Sequence, residues 1–339
     1  MPLQSDLQLN HDKFNPENIS PQTREFNDNL IRVMNSGPKW YEVGPEKYRQ
    51  MRWNGETPLP QPTVLESGTN ASLPSRETGR EISIRVFEPE NDDQGKGRKA
   101  KGVFYHIHGG GWVLQSEHYQ DLMLKYYADH ANLTVVSVGY RLAPEHPYPA
   151  GNEDCFDVAE YLVEHAEREY GGPLLFIGGD SAGAHLSVVT TYHLLQARPD
   201  FAFKGLVLNF GAYDISGFLP QAHHFDLPLV LTLDIMQRYI DAYLPGKSPA
   251  ERRDPMISPL YMDLSNPDKL PPALFSCGTL DPLLDDSVMM SAKWSMSGAE
   301  SILKVYAGGP HGFTFFPIGG TETTEQNLKD IATFMNERS

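Results

Sequence analysis

Leu174-Leu175-Phe176-Ile177-Gly178-Gly179-Asp180-Ser181-Ala182-Gly183-Ala184-His185-Leu186 is the stretch that decides the fold. Its first four residues are a bulky apolar run, the pattern of a buried strand. From Ala182 to Leu195 apolar positions recur at helical spacing, with Ala182, His185/Leu186, Val189 and Leu194 on one face. Between strand and helix sits Gly179-x-Ser181-x-Gly183. A serine on so tight a turn is pushed into the open, and a Cβ on either flanking position would collide with the neighbouring strand or helix. The helix then aims its free N–H groups and positive dipole end at whatever forms on the serine oxygen.

On both sides of this stretch strand and helix patterns alternate. Glu81 to Phe87 alternates in polarity and reads as a half-exposed strand, antiparallel near a sheet edge. Strands follow at Val103–Ile107, Leu133–Val138, Leu206–Leu208, Ala273–Cys277 and Ile302–Tyr306. Helical faces are carried by Tyr119/Leu122/Met123/Tyr126/Tyr127, by Phe156 to Ala166, by Val288 to Met296 and by Leu328 to Met335. This rhythm predicts an α/β fold, a parallel sheet with helices on both faces.

Two segments break the rhythm. The first 55 residues hold helical patterns at Gln22–Met34 and Pro45–Trp53, behind a stretch at 1–20 that reads as poorly ordered. They cannot bury a core alone, and Asn54 to Leu73, rich in Pro, Gly and Thr, reads as a link into the main body. Residues 211–262 contain a helix-like stretch at Leu233–Tyr243 but no clear strand; an insertion of that size between sheet elements is usually functional. Asn91 to Lys101 reads as a surface loop, and there is no internal repeat.

Composition limits the partners. The 339 residues are 40% hydrophobic, enough for a sizeable core. The 28 Lys+Arg against 44 Asp+Glu give a net charge of −16, which repels phosphate backbones and argues against nucleic acid. Cys155 and Cys277 lie in apolar elements and read as buried free thiols. The polar start from Met1 to Asn15 does not read as a signal peptide, and no apolar run approaches the ~20 residues needed to span a bilayer. The expected setting is therefore the cytoplasm. The sequons at Asn70 and Asn132 are read as chance.

Three further motifs complete the serine's chemistry. His108-Gly109-Gly110-Gly111-Trp112 directly follows a strand, and its glycines let backbone N–H groups approach a ligand oxygen, as an oxyanion hole requires. Gly278-Thr279-Leu280-Asp281-Pro282-Leu283-Leu284-Asp285-Asp286 follows another strand, and a carboxylate there can orient a histidine. Asp281 stands at the strand end, where functional residues of open sheets collect, whereas Asp285 and Asp286 fall in the first turn of the next helix. Pro310-His311-Gly312-Phe313 follows the last strand, completing the chain order Ser…Asp…His. His106 and His108 form an H-x-H pair without further ligands nearby, and His223-His224 lacks ligand spacing, so no metal or other cofactor is expected.

Together His108-Gly109-Gly110-Gly111, Tyr140-Arg141-Leu142-Ala143-Pro144-Glu145, Gly179-Asp180-Ser181-Ala182-Gly183, Asp281-Pro282-Leu283 and His311-Gly312-Phe313 resemble the motifs of the hormone-sensitive-lipase-like family of α/β-hydrolase esterases. The resemblance spans residues 106 to 313. It implies an α/β-hydrolase fold, a mostly parallel eight-stranded sheet with a helical cap, formed here by 1–55 and 211–262 over a single core of 56–210 and 263–339. It implies Ser181 as nucleophile, His311 as base and Asp281 as orienting acid. It also implies an oxyanion hole from the N–H groups of Gly110, Gly111 and Ala182, with Gly109 shaping the turn. Arg141 and Glu145 are implied to be structural, bracing the sheet behind the site. Members often pair as homodimers through the last strand and helix, which residues 300–339 leave open; Phe313 to Ile318 is unusually apolar for a loop.

The expected reaction is hydrolysis of a small-molecule carboxylic ester through an acyl-enzyme. Trp112, Tyr213, Phe225 and Phe313, with Trp40 and Tyr41, are the expected walls of the acyl pocket. The cap implies short to medium acyl chains or a small natural-product ester, and no stretch suits an oil surface. The same triad serves lactones, amides and acyl transfer. Relatives that have become small-molecule receptors have lost the catalytic histidine, and His311 is present here.

Overall fold

In the computed structural model, which describes residues 8–90, 99–265, 270–315 and 320–339, the alternating pattern folds into one eight-stranded sheet. The strands are β1 (Thr69–Pro74), β2 (Glu81–Phe87), β3 (Val103–Ile107), β4 (Thr134–Gly139), β5 (Leu174–Asp180), β6 (Gly205–Asn209), β7 (Ala273–Leu280) and β8 (Ser301–Pro310). Their order is β1-β2-β4-β3-β5-β6-β7-β8. β1–β2 and β2–β4 pair antiparallel, and every later neighbour pairs parallel.

The helices are α1 (Pro21–Met34), α2 (Trp40–Val43), α3 (Pro45–Trp53), α4 (Asp121–Ala131), α5 (Ala150–Glu169), α6 (Ala182–Ala197), α7 (Pro220–His224), α8 (Leu233–Tyr243), α9 (Leu284–Met296) and α10 (Glu322–Asn336). Successive strand side chains point to opposite faces, so Phe104 joins a core with α4 and α10, while Tyr105 and Ile107 join one with α5, α6 and α9. Both faces are thus covered, which is why β3 is buried at every position. No helix among the described residues is long and apolar enough to cross a membrane.

The structure corrects the reading of two segments. The link at 54–73 contains the start of β1, in which Leu73 is the buried residue. A polar edge strand has no alternation to detect, and its pairing with β2 defines it. Of the stretch 1–20 expected to be poorly ordered, residues 1–7 lie outside the described residues, and residues 8–20 are not unstructured. They form short 3-10 turns at His11–Phe14 and Pro16–Asn18, capped by the Asn10 and Asn15 side chains. Of the expected loop at 91–101, residues 91–98 lie outside the described residues.

The two irregular segments meet above the sheet's C-terminal edge. α1 is tied to β8, where Asn27 Nδ2 donates to the Gly308 carbonyl at 2.8 Å. Farther along, Trp40 stacks on Tyr239 of α8 with ring centroids 5.0 Å apart, and the Arg238 guanidinium lies 3.9 Å over the Tyr41 ring. Arg49 of α3 reaches down to Glu145 at 2.6 Å, so Glu145 holds the N-terminal helices rather than the sheet. Arg141 braces α5 through Asp154, donating from its backbone N at 2.9 Å and from Nε at 3.0 Å.

Candidate active site

β5 ends at Asp180 and α6 begins at Ala182, leaving Ser181 alone on the turn with φ 57° and ψ −117°. That conformation is strained for a residue with a side chain. It is held from both sides: Ser181 N donates to the Asn209 carbonyl at 2.8 Å, and Gly179 and Gly183 crowd the end of β3. A Cβ on Gly179 would lie 2.2 Å from the Ile107 carbonyl oxygen, and one on Gly183 would lie 1.9 Å from it. The flanking glycines therefore let α6 press against β3 so that the serine projects.

Three residues from three loops come together. With the imidazole proton on Nδ1, Ser181 Oγ donates to His311 Nε2 at 2.9 Å, and His311 Nδ1 donates to Asp281 Oδ2 at 2.9 Å. Asp281 is fully buried directly after β7, and its Oδ1 also accepts the Leu283 N–H at 2.8 Å. The His311 ring packs edge-on to Phe210, 5.1 Å between centroids. In front of the serine, Gly110 and Gly111 have φ of 103° and 62°, conformations that favour glycine. Their N–H groups, and that of Ala182, donate to no other atom of the described residues. A Cβ on Gly110 would meet the Leu114 carbonyl at 2.1 Å, so the turn is closed on itself.

Asp180 anchors the turn from below. Its buried carboxylate pairs with His106 Nε2 at 3.0 Å and accepts from Gln120 Nε2 at 3.1 Å and Asn209 Nδ2 at 2.9 Å. That accounts for His106; His108 instead stacks on Tyr140 at 4.2 Å, and burial pushes its imidazole down to about 3. Both histidines are thus committed to the scaffold. His185, four residues after Ser181, carries a role that sequence reasoning missed. It accepts from Trp112 Nε1 at 3.3 Å and donates from Nε2 to the Ile257 carbonyl at 2.8 Å, and burial lowers it to about 4. A neutral ring satisfies both bonds and fixes Trp112 beneath the insertion. Its i+4 spacing from the serine was the available signal.

Ser181 and His311 open into a cavity of about 280 Å³, walled by the N-terminal helices, the segment Leu59–Thr63, the stretch from Gly110 to Met123 and the insertion. Trp112, Trp40 and Tyr41 line it as expected. Tyr213, Phe225 and Phe313 do not. Tyr213 is fully buried against Phe275, Phe313 is buried against Phe210 and Tyr306, and Phe225 is a half-buried cap of α7. Phe315, Tyr239, Phe218 and Ile235 take their places. In the apolar loop at 313–318, residues 316–318 lie outside the described residues.

The insertion is pinned by the acids that competed with Asp281. Asp285 Oδ2 accepts the Gln221 N–H at 2.9 Å, and Asp286 Oδ1 accepts the N–H groups of Tyr213 and Asp214 at 2.6 and 2.8 Å. Asp286 Oδ2 is buried with no partner among the described residues, and burial pushes the carboxyl up to about 8. Unfolded, it titrates near 4. Between those values the folded chain holds a proton that the unfolded chain has released, so stability falls as pH rises from about 4 to 8. Asp286→Asn keeps the Oδ1 acceptor without the charge. Thermal melts at pH 5 and pH 8.5 are expected to show the variant's advantage over wild type growing with pH; an advantage independent of pH defeats this account.

A family model described as alpha/beta hydrolase fold matches residues 104–315. An esterase of Acinetobacter venetianus is 30% identical over 264 residues, covering 77% of this chain and 84% of that protein. A carboxylic ester hydrolase of Mycobacterium tuberculosis is 32% identical over 279 residues, covering 79% of this chain and 70% of that one. Among solved structures, an esterase of Pyrobaculum calidifontis superposes with a TM-score of 0.77 at 27% identity, covering 94% of this chain and 98% of its own.

Proposed function

Because the chain belongs to the hormone-sensitive-lipase-like family of α/β-hydrolase esterases, ester-hydrolysing serine hydrolases, we propose that it cleaves small carboxylic esters through a Ser181–His311–Asp281 acyl-enzyme. The observation that carries this reading is the continuous hydrogen-bond chain from Ser181 Oγ through His311 to the buried Asp281, with 2.9 Å at each link. Ser181 Oγ attacks the carbonyl carbon as His311 Nε2 takes its proton. The oxyanion that forms is met by the N–H groups of Gly110, Gly111 and Ala182, and Gly109 shapes that turn. Asp281 stabilises the imidazolium, which gives its proton to the leaving alcohol. A water activated by His311 then releases the acid and restores the serine.

Residues 1–55 and 211–262 form the cap, and 56–210 with 263–339 the catalytic core. The stack of Trp40 on Tyr239 joins the two parts of the cap over the site. A cavity of about 280 Å³ suits short to medium acyl chains or a compact natural-product ester. A fluorophosphonate probe is expected to label the chain at Ser181. In a p-nitrophenyl ester series, kcat/KM is expected to peak near four to six acyl carbons and to fall at least about ten-fold by twelve, once the chain no longer desolvates fully. Failure to label, or a rate that climbs through twelve carbons, refutes the reading. The same triad on an amide or lactone is separated by product analysis on matched substrates.

A further inference from the structure

The cavity is charged against the trend of the chain. The protein carries −16 overall, yet no aspartate or glutamate among the described residues lines the cavity, while Lys39, Arg49 and Arg52 do. Arg49 is already neutralised by Glu145 at 2.6 Å and donates to the Val113 carbonyl at 2.8 Å. Arg52 has no such partner. Its NH1 donates to Thr57 Oγ1 at 3.0 Å and the Leu59 carbonyl at 2.7 Å, both neutral. Its Nε and NH2 meet no acceptor, and the guanidinium meets no carboxylate, among the described residues. The guanidinium lies 6.0 Å from the Tyr119 ring centroid, and the Tyr119 hydroxyl, in the same wall, is buried without a hydrogen-bond partner among the described residues. Burial lowers Arg52 from its ordinary value, as partial removal of a cation from water does.

A partly desolvated, unpaired cation is costly to a fold. It is economical where a ligand supplies the anion. Arg52 lines the same cavity as Ser181 and His311. We propose that Arg52 forms an anion subsite and that the preferred substrates are esters bearing a carboxylate away from the scissile bond. The planar guanidinium, with two nitrogens uncommitted, meets a carboxylate in a forked pair, and Lys39 adds positive potential. The subsite rests on the esterase reading for its substrate class, but its binding role is measurable without turnover.

The test uses the full chain carrying Ser181→Ala, so that esters bind and persist. Isothermal titration compares mono-4-nitrophenyl adipate with 4-nitrophenyl hexanoate, an acid on the acyl side against its neutral counterpart. It also compares 4-carboxybutyl butyrate with pentyl butyrate, where the acid is on the alcohol side. One acid-bearing ester is expected to bind at least about ten-fold more tightly than its neutral counterpart. Adding Arg52→Gln is expected to erase that difference, and Arg52→Lys to keep part of it. Equal affinities within both pairs overturn the proposal. So does an Arg52→Gln effect shared equally by acid and neutral esters, since that is the signature of a brace for Thr57 and Leu59. Turnover of the neutral esters by wild type tests the esterase reading separately.

Discussion

Ser181→Ala is expected to lower kcat for p-nitrophenyl butyrate by about 10⁴-fold or more, with the melting temperature nearly unchanged. The two halves of that expectation come from the same geometry. Oγ makes one hydrogen bond, to His311 Nε2 at 2.9 Å, and no other to the described residues. Its loss removes the proposed nucleophile but leaves the turn standing on the Ser181 backbone bond to Asn209 and on the close approach of Gly179 and Gly183 to β3. Alanine bears the same φ of 57° no more easily than serine does, so the strain is neither relieved nor deepened. What survives is binding and the oxyanion donors, a residual rate well above that in water. Active-site titration by burst amplitude, beside a thermal melt, separates these effects. A variant that keeps a stoichiometric burst would show that the acyl group rides on another residue.

The parts of this molecule that could be read from the chain are those whose physics is local. Gly179, Ser181 and Gly183 are a steric statement about one turn, and the contacts they avoid, with the Ile107 carbonyl, are those of the strand beside them. Asp281 and His311 follow apolar strands, and a parallel sheet brings the ends of β5, β7 and β8 to one edge. The pocket was read less well. Aromatic residues in an insertion without regular periodicity do not reveal which way they face. Tyr213 turned into the core against Phe275, and Tyr239, on the same face of α8 as the buried Met236 and Tyr243, met Trp40 from a segment about two hundred residues earlier. The edge strand β1 was hidden for the opposite reason, since its polarity suits solvent on nearly every position. His185 and Asp286 carry roles set by partners distant in sequence, Trp112 and the Ile257 carbonyl for the one and the Tyr213 and Asp214 amides for the other.

Gly183→Ala is expected to destabilise the fold by about 3 kcal/mol or more, or to prevent folding, and to impair whatever folded enzyme remains. The added Cβ would lie 1.9 Å from the Ile107 carbonyl oxygen and 2.6 Å from that of His108. Both obstacles are backbone, so no rotamer change relieves them. Either α6 withdraws from the sheet or the end of β3 shifts, and both movements reach the chemistry. α6 carries Ala182, whose N–H is one proposed donor to the oxyanion, while β3 leads directly into His108 to Gly111, which carry the others. A methyl group on a residue that touches no substrate therefore separates donors that must converge within ~3 Å of one oxygen. The deficit should appear in kcat per titrated site rather than in KM, because the donors act on the transition state. Gly217→Ala is the matched control. Gly217 lies in the insertion with open space where its Cβ would be, so it should melt within about 0.5 kcal/mol of wild type. If Gly183→Ala melted with that control and turned over normally, α6 would not need its close seat on β3, and the tight turn would lose its physical justification.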